Sequence, residues 1–121
     1  ERAIGRALEL IHANAFGPLC LSDMAQAACL SRFHFARMFR SHIGLSPMQY
    51  VRALRIEYAK SLLREGSNVA AIAAELGYFD QSHFSRAFRK VTGTTPGMYA
   101  RRVRASATRP LALSDSHPSR Q

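Results

Sequence analysis

Apolar residues recur at helical spacing along most of this chain. Ile4, Ala7, Leu8 and Ile11 share one side of a helix running from Arg2 to about Asn14, and Gly17-Pro18 ends it. Ser22 and Asp23 open a short second helix, 23–28, with Met24, Ala25 and Ala28 inward, and Cys29-Leu30 make a turn. Ser31 is placed to N-cap a third helix reaching Ile43, whose inward stripe is Phe35, Met38, Phe39 and either His42 or Ile43, and Gly44 closes it. Ser46-Pro47 combines a capping hydroxyl with proline at the first helical position, where the missing N–H removes no helical bond. It predicts a long helix over 47–64, lined by Val51, Leu54, Tyr58, Ala59, Leu62 and Leu63. Gly66 and Asn68 separate it from a short helix, 69–76, built around Val69, Ile72, Ala73 and Leu76, which turns at Gly77. Asp80 caps a helix over 81–92 that buries Phe84, Ala87, Phe88 and Val91, and Thr95-Pro96 starts a last one reaching about Val103. Residues 105–121 hold Ser and Pro without periodicity and read as a loose tail. The predicted class is all-α, with seven helices.

Within this pattern one segment occurs twice. HFARMFRSHIGLSPMQY, residues 34–50, returns as HFSRAFRKVTGTTPGMY, residues 83–99. His34/His83, Phe35/Phe84, Arg37/Arg86, Phe39/Phe88, Arg40/Arg89, Gly44/Gly93, Pro47/Pro96, Tyr50/Tyr99 and Arg52/Arg101 keep one interval (84 − 35 = 49) without a gap. Two copies are too few for a stacked solenoid. The pattern implies two helix-turn-helix subdomains, 1–65 and 66–104, with the helix over 47–64 as a strut of roughly 27 Å between them.

Composition narrows the partner. The 121 residues are 47% hydrophobic, enough for a core, and carry 17 Lys and Arg against 8 Asp and Glu, a formal charge of +9 with a pI near 10.8. That imbalance favours a polyanion. Apolar stretches are too short for a bilayer span and no leader opens the chain, so a soluble cytoplasmic protein is expected. Cys20 and Cys29 lack CxxC or zinc-finger spacing and read as small core residues, with no metal, no cofactor and no disulfide expected. Arg55 reads as a semi-buried structural arginine, its partner near Glu57 or at Glu75. The start at Glu1, directly in helical pattern and without Met, suggests excision from a longer chain.

A helix that reads duplex DNA needs one face held by partner helices and one face free for the major groove. Both copies supply it. Arg32, Phe33, Ala36 and Arg37 in the first, and Gln81, Ser82, Ser85 and Arg86 in the second, are the candidate base contacts. Arginine donates two hydrogen bonds to guanine O6 and N7, glutamine pairs with adenine, and Phe33 offers an apolar surface to a thymine methyl. Ala36 permits close approach. His34, Arg40, His83, Arg89 and Lys90, with the N-terminal amides of the short helices, suit phosphates. The histidines lack an accompanying nucleophile, orienting acid or ligand set, and no enzymatic role is expected.

The pattern Leu21-Ser-Asp-Met-Ala, residues 31–40, and above all IAAELGYFDQSHFSRAFRK over 72–90 with Gly93-Thr-Thr-Pro and Tyr99, resembles the AraC/XylS family of bacterial transcription regulators. The resemblance covers roughly residues 4 to 103. It implies a seven-helix DNA-binding domain that places two reading helices in successive major grooves on one face of double-stranded DNA. The family's base-contact positions fall on Phe33, Ala36, Arg37, Gln81, Ser82 and Arg86. It further implies a transcription activator, an N-terminal effector or dimerisation domain outside this chain, and RNA polymerase as a candidate partner. Two departures stand out: Cys29 occupies the turn position held by Gly77 in the second copy, and Tyr99-Ala100-Arg101 puts an arginine one place later than the family's usual Tyr-Arg pair. Because grooves on one face repeat at about 34 Å, a strut of roughly 27 Å implies DNA bent toward the protein. Two other functions compete. The same tandem fold serves as the DNA-targeting module of a DNA-alkylation repair enzyme, whose catalytic part is absent from this chain. A basic amphipathic membrane binder leaves the paired caps and prolines unexplained.

Overall fold

A computed structural model describes residues 2–107. They form α1 (Arg2–Ala13), α2 (Leu21–Ala27), α3 (Arg32–Ile43), α4 (Pro47–Arg64), α5 (Val69–Glu75), α6 (Gln81–Thr92) and α7 (Pro96–Ala107), with no strand among the described residues. The caps explain the helix starts. Ser31 Oγ accepts from the His34 N–H at 3.1 Å, Ser46 Oγ from Gln49 at 3.2 Å, Asn68 Oδ1 from Ala71 at 3.1 Å and Asp80 Oδ1 from His83 at 2.8 Å. Each satisfies a donor that the helix leaves orphaned. Helix α2 begins at Leu21, two residues before the expected Asp23, because Asp23 is the third helical residue and its carboxylate reaches back to the Cys20 N–H at 3.3 Å. Helix α7 continues past Val103 to Ala107, so residues 105–107 of the expected tail are helical, and the rest lies outside the described residues.

The helices bury two separate cores. Ile4, Ala7, Ile11, Met24, Ala25, Ala28, Phe35, Phe39 and Val51 form one, and Ile56, Ala59, Leu63, Ile72, Ala73, Leu76, Phe84, Phe88 and Ala100 the other. Strut α4 serves both. At about 100° per residue, Pro47 and Val51 point one way, while Ile56, Ala59 and Leu63 point roughly 130° further round the axis. A single expected stripe therefore splits in two: Leu54 packs against the first core, Tyr58 and Leu62 against the second, and Ile56, absent from the expected stripe, is fully buried.

Burial also reveals a deeper repeat. Ile4, Ala7 and Ile11 of α1 recur as Ile56, Ala59 and Leu63 of α4 at one interval (56 − 4 = 52). Met24, Ala25 and Ala28 recur as Ile72, Ala73 and Leu76 at another (72 − 24 = 48), and Phe35 and Phe39 as Phe84 and Phe88 at a third (84 − 35 = 49). Hence α4 opens the second unit as α1 opens the first. Its N-terminal half closes the first unit as α7 closes the second, with Pro47/Pro96 and Val51/Ala100 buried in matching places. Ring packing repeats too: Phe35–Phe39 and Phe39–Tyr50 centroids stand 5.6 and 5.7 Å apart, Phe84–Phe88 and Phe88–Tyr99 at 5.8 and 5.7 Å. Each buried phenylalanine contributes about 1.5 to 3 kcal/mol relative to exposure. Even the tyrosine hydroxyls are held alike, Tyr50 by His12 at 2.9 Å and Tyr99 by Arg64 at 2.8 Å, two residues in the same 52-residue register (64 − 12).

Other expectations fail for identifiable reasons. Val91 is 44% exposed, because the inward stripe of α6 continues from Phe88 to half-buried Thr92, four residues on. In α3 the same step selects half-buried Ile43, leaving His42 exposed. Cys20 and Cys29 are both exposed, since one precedes α2 and the other sits in the turn after it.

Candidate nucleic-acid interface

Because Phe35 and Phe39 point inward, the opposite side of α3 is free. Phe33, His34, Arg37 and Arg40 are exposed there, Arg32 is exposed in the first turn, nearer the Phe35–Phe39 side, and Ala36 is half-buried. Helix α6 repeats the arrangement: Gln81, Ser82, His83, Arg86, Arg89 and Lys90 are exposed and Ser85, at the position of Ala36, is half-buried. All thirteen side chains assigned from sequence thus fall on two helices, and the paired arginines Arg37 and Arg86 are accessible in both. Among the described residues no carboxylate lies within ion-pair distance of these cations; the ion pair found is Lys60–Glu57 at 2.9 Å on α4. The carboxylate beside α6, Asp80, is engaged in the cap. Both faces therefore keep an uncompensated positive charge, as contact with phosphates requires. Arg37 has a different partner, its guanidinium lying 5.2 Å from the centre of the Phe33 ring, a cation–π contact between two assigned readers.

The turns that aim these helices differ. Gly77 has φ +82 in the second unit, and Cys29 takes φ +61 at the matching place. A side chain in this left-handed region costs about 1 to 2 kcal/mol, so the first turn is the strained one. Arg6 supports that unit by donating to the Ala27 and Ala28 carbonyls at 3.1 and 3.3 Å, the free end of α2. Tyr78 anchors the second turn. Burial pushes its phenol above the ordinary value, opposed by the nearby Arg55 and Arg52, and its hydroxyl is buried without a hydrogen-bond partner.

Arg55 ties the strut to a loop of the first unit and has neither expected carboxylate partner. It donates to the backbone carbonyls of Ala15 at 2.6 Å and Gly17 at 2.9 Å, in the loop between α1 and α2. Phe16 of that loop stacks on Tyr58 at 4.4 Å, and its carbonyl lies beside the Gly77 turn. A loop of the first unit is thereby fastened to the strut and set against the second. Phe79, directly before the Asp80 cap, is 89% exposed and was not among the assigned readers. The sequence signal for it is the change of interval from 48 to 49 between Tyr78 and Phe84.

The family model of the helix-turn-helix domain matches residues 24–102. The chain belongs to that family. The match opens in α2 and ends in α7, taking in both turns and both exposed helices. A putative AraC-like transcription regulator of Streptomyces antibioticus is 36% identical over 83 residues, 68% of this chain and 27% of the relative. The transcriptional regulator AlkR of Acinetobacter baylyi is 31% identical over 80 residues, 65% of this chain and 26% of its own length. The chain spans about a quarter of the length of these curated relatives. Among solved structures, an AraC-type DNA-binding-domain regulator from Chromobacterium violaceum is 29% identical with a TM-score of 0.75, covering 90% of this chain and 95% of that one. The DNA-binding domain of AdpA shares the fold, with a TM-score of 0.81 at 24% identity over 89% of this chain and 98% of that one. The chain is therefore homologous to the DNA-binding domains of AraC/XylS-type and related helix-turn-helix transcription regulators. Among the described residues no helix is long and apolar enough to cross a membrane, and no three His, Cys, Asp or Glu side chains gather as metal ligands.

Proposed function

We propose that this chain is the DNA-binding domain of a bacterial AraC/XylS-family transcription regulator, acting by sequence-specific binding and not by catalysis. Helices α3 and α6 enter successive major grooves of double-stranded DNA. The observation that carries the reading is the duplicated pair of exposed helices, each opened by a side-chain cap and each presenting an arginine, Arg37 or Arg86, at the same step and free of intramolecular carboxylates. In this reading Arg32, Phe33, Ala36 and Arg37 form the first reading head, and Gln81, Ser82, Ser85 and Arg86 the second. His34, Arg40, His83, Arg89 and Lys90 hold phosphates and set register. The protein works in the cytoplasm as an activator that engages RNA polymerase, under control of an N-terminal effector or dimerisation domain. A strut of roughly 27 Å is shorter than the about 34 Å groove repeat, which supports a duplex bent toward the protein.

The test is binding of the 121-residue chain to duplex DNA by fluorescence anisotropy across salt concentrations. With about 6 to 10 phosphates neutralised, affinity falls some 10³- to 10⁵-fold between 50 and 200 mM salt. Salt-insensitive binding, or tighter binding to anionic vesicles than to any duplex, would contradict the proposal.

A further inference from the structure

The two units correspond helix for helix, yet the join between turn and reading helix differs by one residue. Leu30 and Tyr78 occupy the same place: each follows the residue of positive φ, and each donates its N–H at 3.0 Å to the carbonyl five residues back, Ala25 or Ala73. After Leu30 comes the cap Ser31. After Tyr78 comes Phe79, and only then the cap Asp80. Phe79 is the additional residue, without a counterpart in the first unit.

Its side chain points outward. Tyr78 fills the inward place, its ring 5.3 Å from Phe84 and 5.6 Å from His83, and the next side chain, Phe79, turns to solvent. Phe79 is 89% exposed and Phe33 72%, while the other exposed large apolar side chains among the described residues lie between 38% and 49%. Scattered apolar residues on a surface are ordinary. Here the two extremes both fall at the leading ends of the two exposed basic helices. Hydrating a phenyl ring is unfavourable, and burial against a ligand reverses that cost.

We propose that Phe79 is a specificity-determining residue of the second head, its ring seated on the C5-methyl of a thymine at the leading edge of the sequence read by α6. The proposal rests on the DNA-reading function above. The thymine methyl is the apolar group that base edges present in the major groove, and the other groups there are donors and acceptors that a phenyl ring does not satisfy. Aromatic wedges that unstack base steps enter from the minor groove. Phe79 instead leads a helix placed in the major groove, next to Gln81 and Ser82.

The experiment uses a duplex selected by the 121-residue chain from a random library, and copies in which each thymine of the second box is replaced singly by uracil. That change removes a methyl and leaves pairing intact. Wild type is expected to lose about fourfold in affinity at one thymine, the worth of one buried methyl group. Phe79→Ala is expected to bind the parent duplex about three- to tenfold more weakly, to lose the uracil effect at that position and keep it elsewhere, and to melt at the wild-type temperature. Phe79→Leu retains part of the discrimination. An unchanged uracil profile in Phe79→Ala overturns the proposal, as does equal weakening on all duplexes. If no duplex is selected at all, the DNA-reading function itself fails. A selected duplex with no uracil-sensitive position in the second box removes Phe79 alone.

Discussion

The first unit and the second bury the same pattern of residues and expose different ones. Their interiors correspond at Ile4/Ile56, Met24/Ile72, Phe35/Phe84, Phe39/Phe88 and Val51/Ala100, and the centroid distances of their aromatic rings agree within about 0.2 Å. Between these fixed points the chain differs in two lengths. The first unit carries four additional residues between its first two helices (52 − 48), where Arg55 and Tyr58 grip the loop. The second carries one, Phe79. Their outward faces differ in chemistry as well: Arg32, Phe33 and Ala36 against Gln81, Ser82 and Ser85, with Arg37 and Arg86 in common. Close packing tolerates few exchanges in a core, whereas an exposed helix face is free to change. A duplicated scaffold thus keeps its geometry while its two exposed surfaces diverge in chemistry.

The largest test of that comparison lies in the cores. Phe39→Ala and Phe88→Ala each lose about 3 to 5 kcal/mol. If the cores are separate, amide hydrogen exchange accelerates mainly in α2 and α3 for the first variant and in α5 and α6 for the second. Equal acceleration throughout both units would show one cooperative core in place of two.

Arg55→Ala probes the tie between the units. Two charged hydrogen bonds to backbone carbonyls are lost, and about 1.5 to 3 kcal/mol of stability goes with them in urea denaturation. Arg55→Lys does not restore both bonds, because an ammonium lacks the fork that spans Ala15 and Gly17. An Arg55→Ala variant as stable as wild type would remove the clamp from the account.

The turns supply the smallest effect and the clearest sign reversal. Cys29→Gly relieves a left-handed side chain and is expected to stabilise the first unit by up to about 1 kcal/mol, while Gly77→Ala destabilises the second by about 1 to 2 kcal/mol. Matched thermal melts decide it. The same sign for both changes would mean that the two turns are not equivalent.

Much of this was legible in the sequence because local signals carried it. Ser31, Ser46 and Asp80 as caps, Pro47 and Pro96 at first helical positions, and Gly44 and Gly93 at helix ends act within a few residues of chain. Periodicity placed Phe35, Phe39, Phe84 and Phe88 inward, and so turned Arg37 and Arg86 outward. What escaped depends on contacts between distant segments. Ile56 was missed because two cores lie on different sides of one helix, which a single stripe does not describe. For Arg55 charge suggests a carboxylate, whereas the loop that folds onto α4 offers two carbonyls. Residue type alone suggests that Cys20 and Cys29 are inside, but the join into α2 and the turn after it set them at the surface. Phe79 escaped because the exact repeat begins only at His83, after the inserted residue.

On the proposed function, one scaffold presents two reading heads of different specificity. Sequencing the duplexes selected from a random library at physiological salt, by wild type, Arg37→Ala and Arg86→Ala in parallel, tests it most directly. Wild type is predicted to select two unlike boxes about one helical turn, roughly 10 base pairs, apart. Each variant is predicted to relax preference at about one base pair, at a cost of about 1 to 3 kcal/mol, with Arg37→Ala acting in one box and Arg86→Ala in the other. Loss of preference at the same positions in both variants, or uniform weakening with both boxes intact, would contradict it.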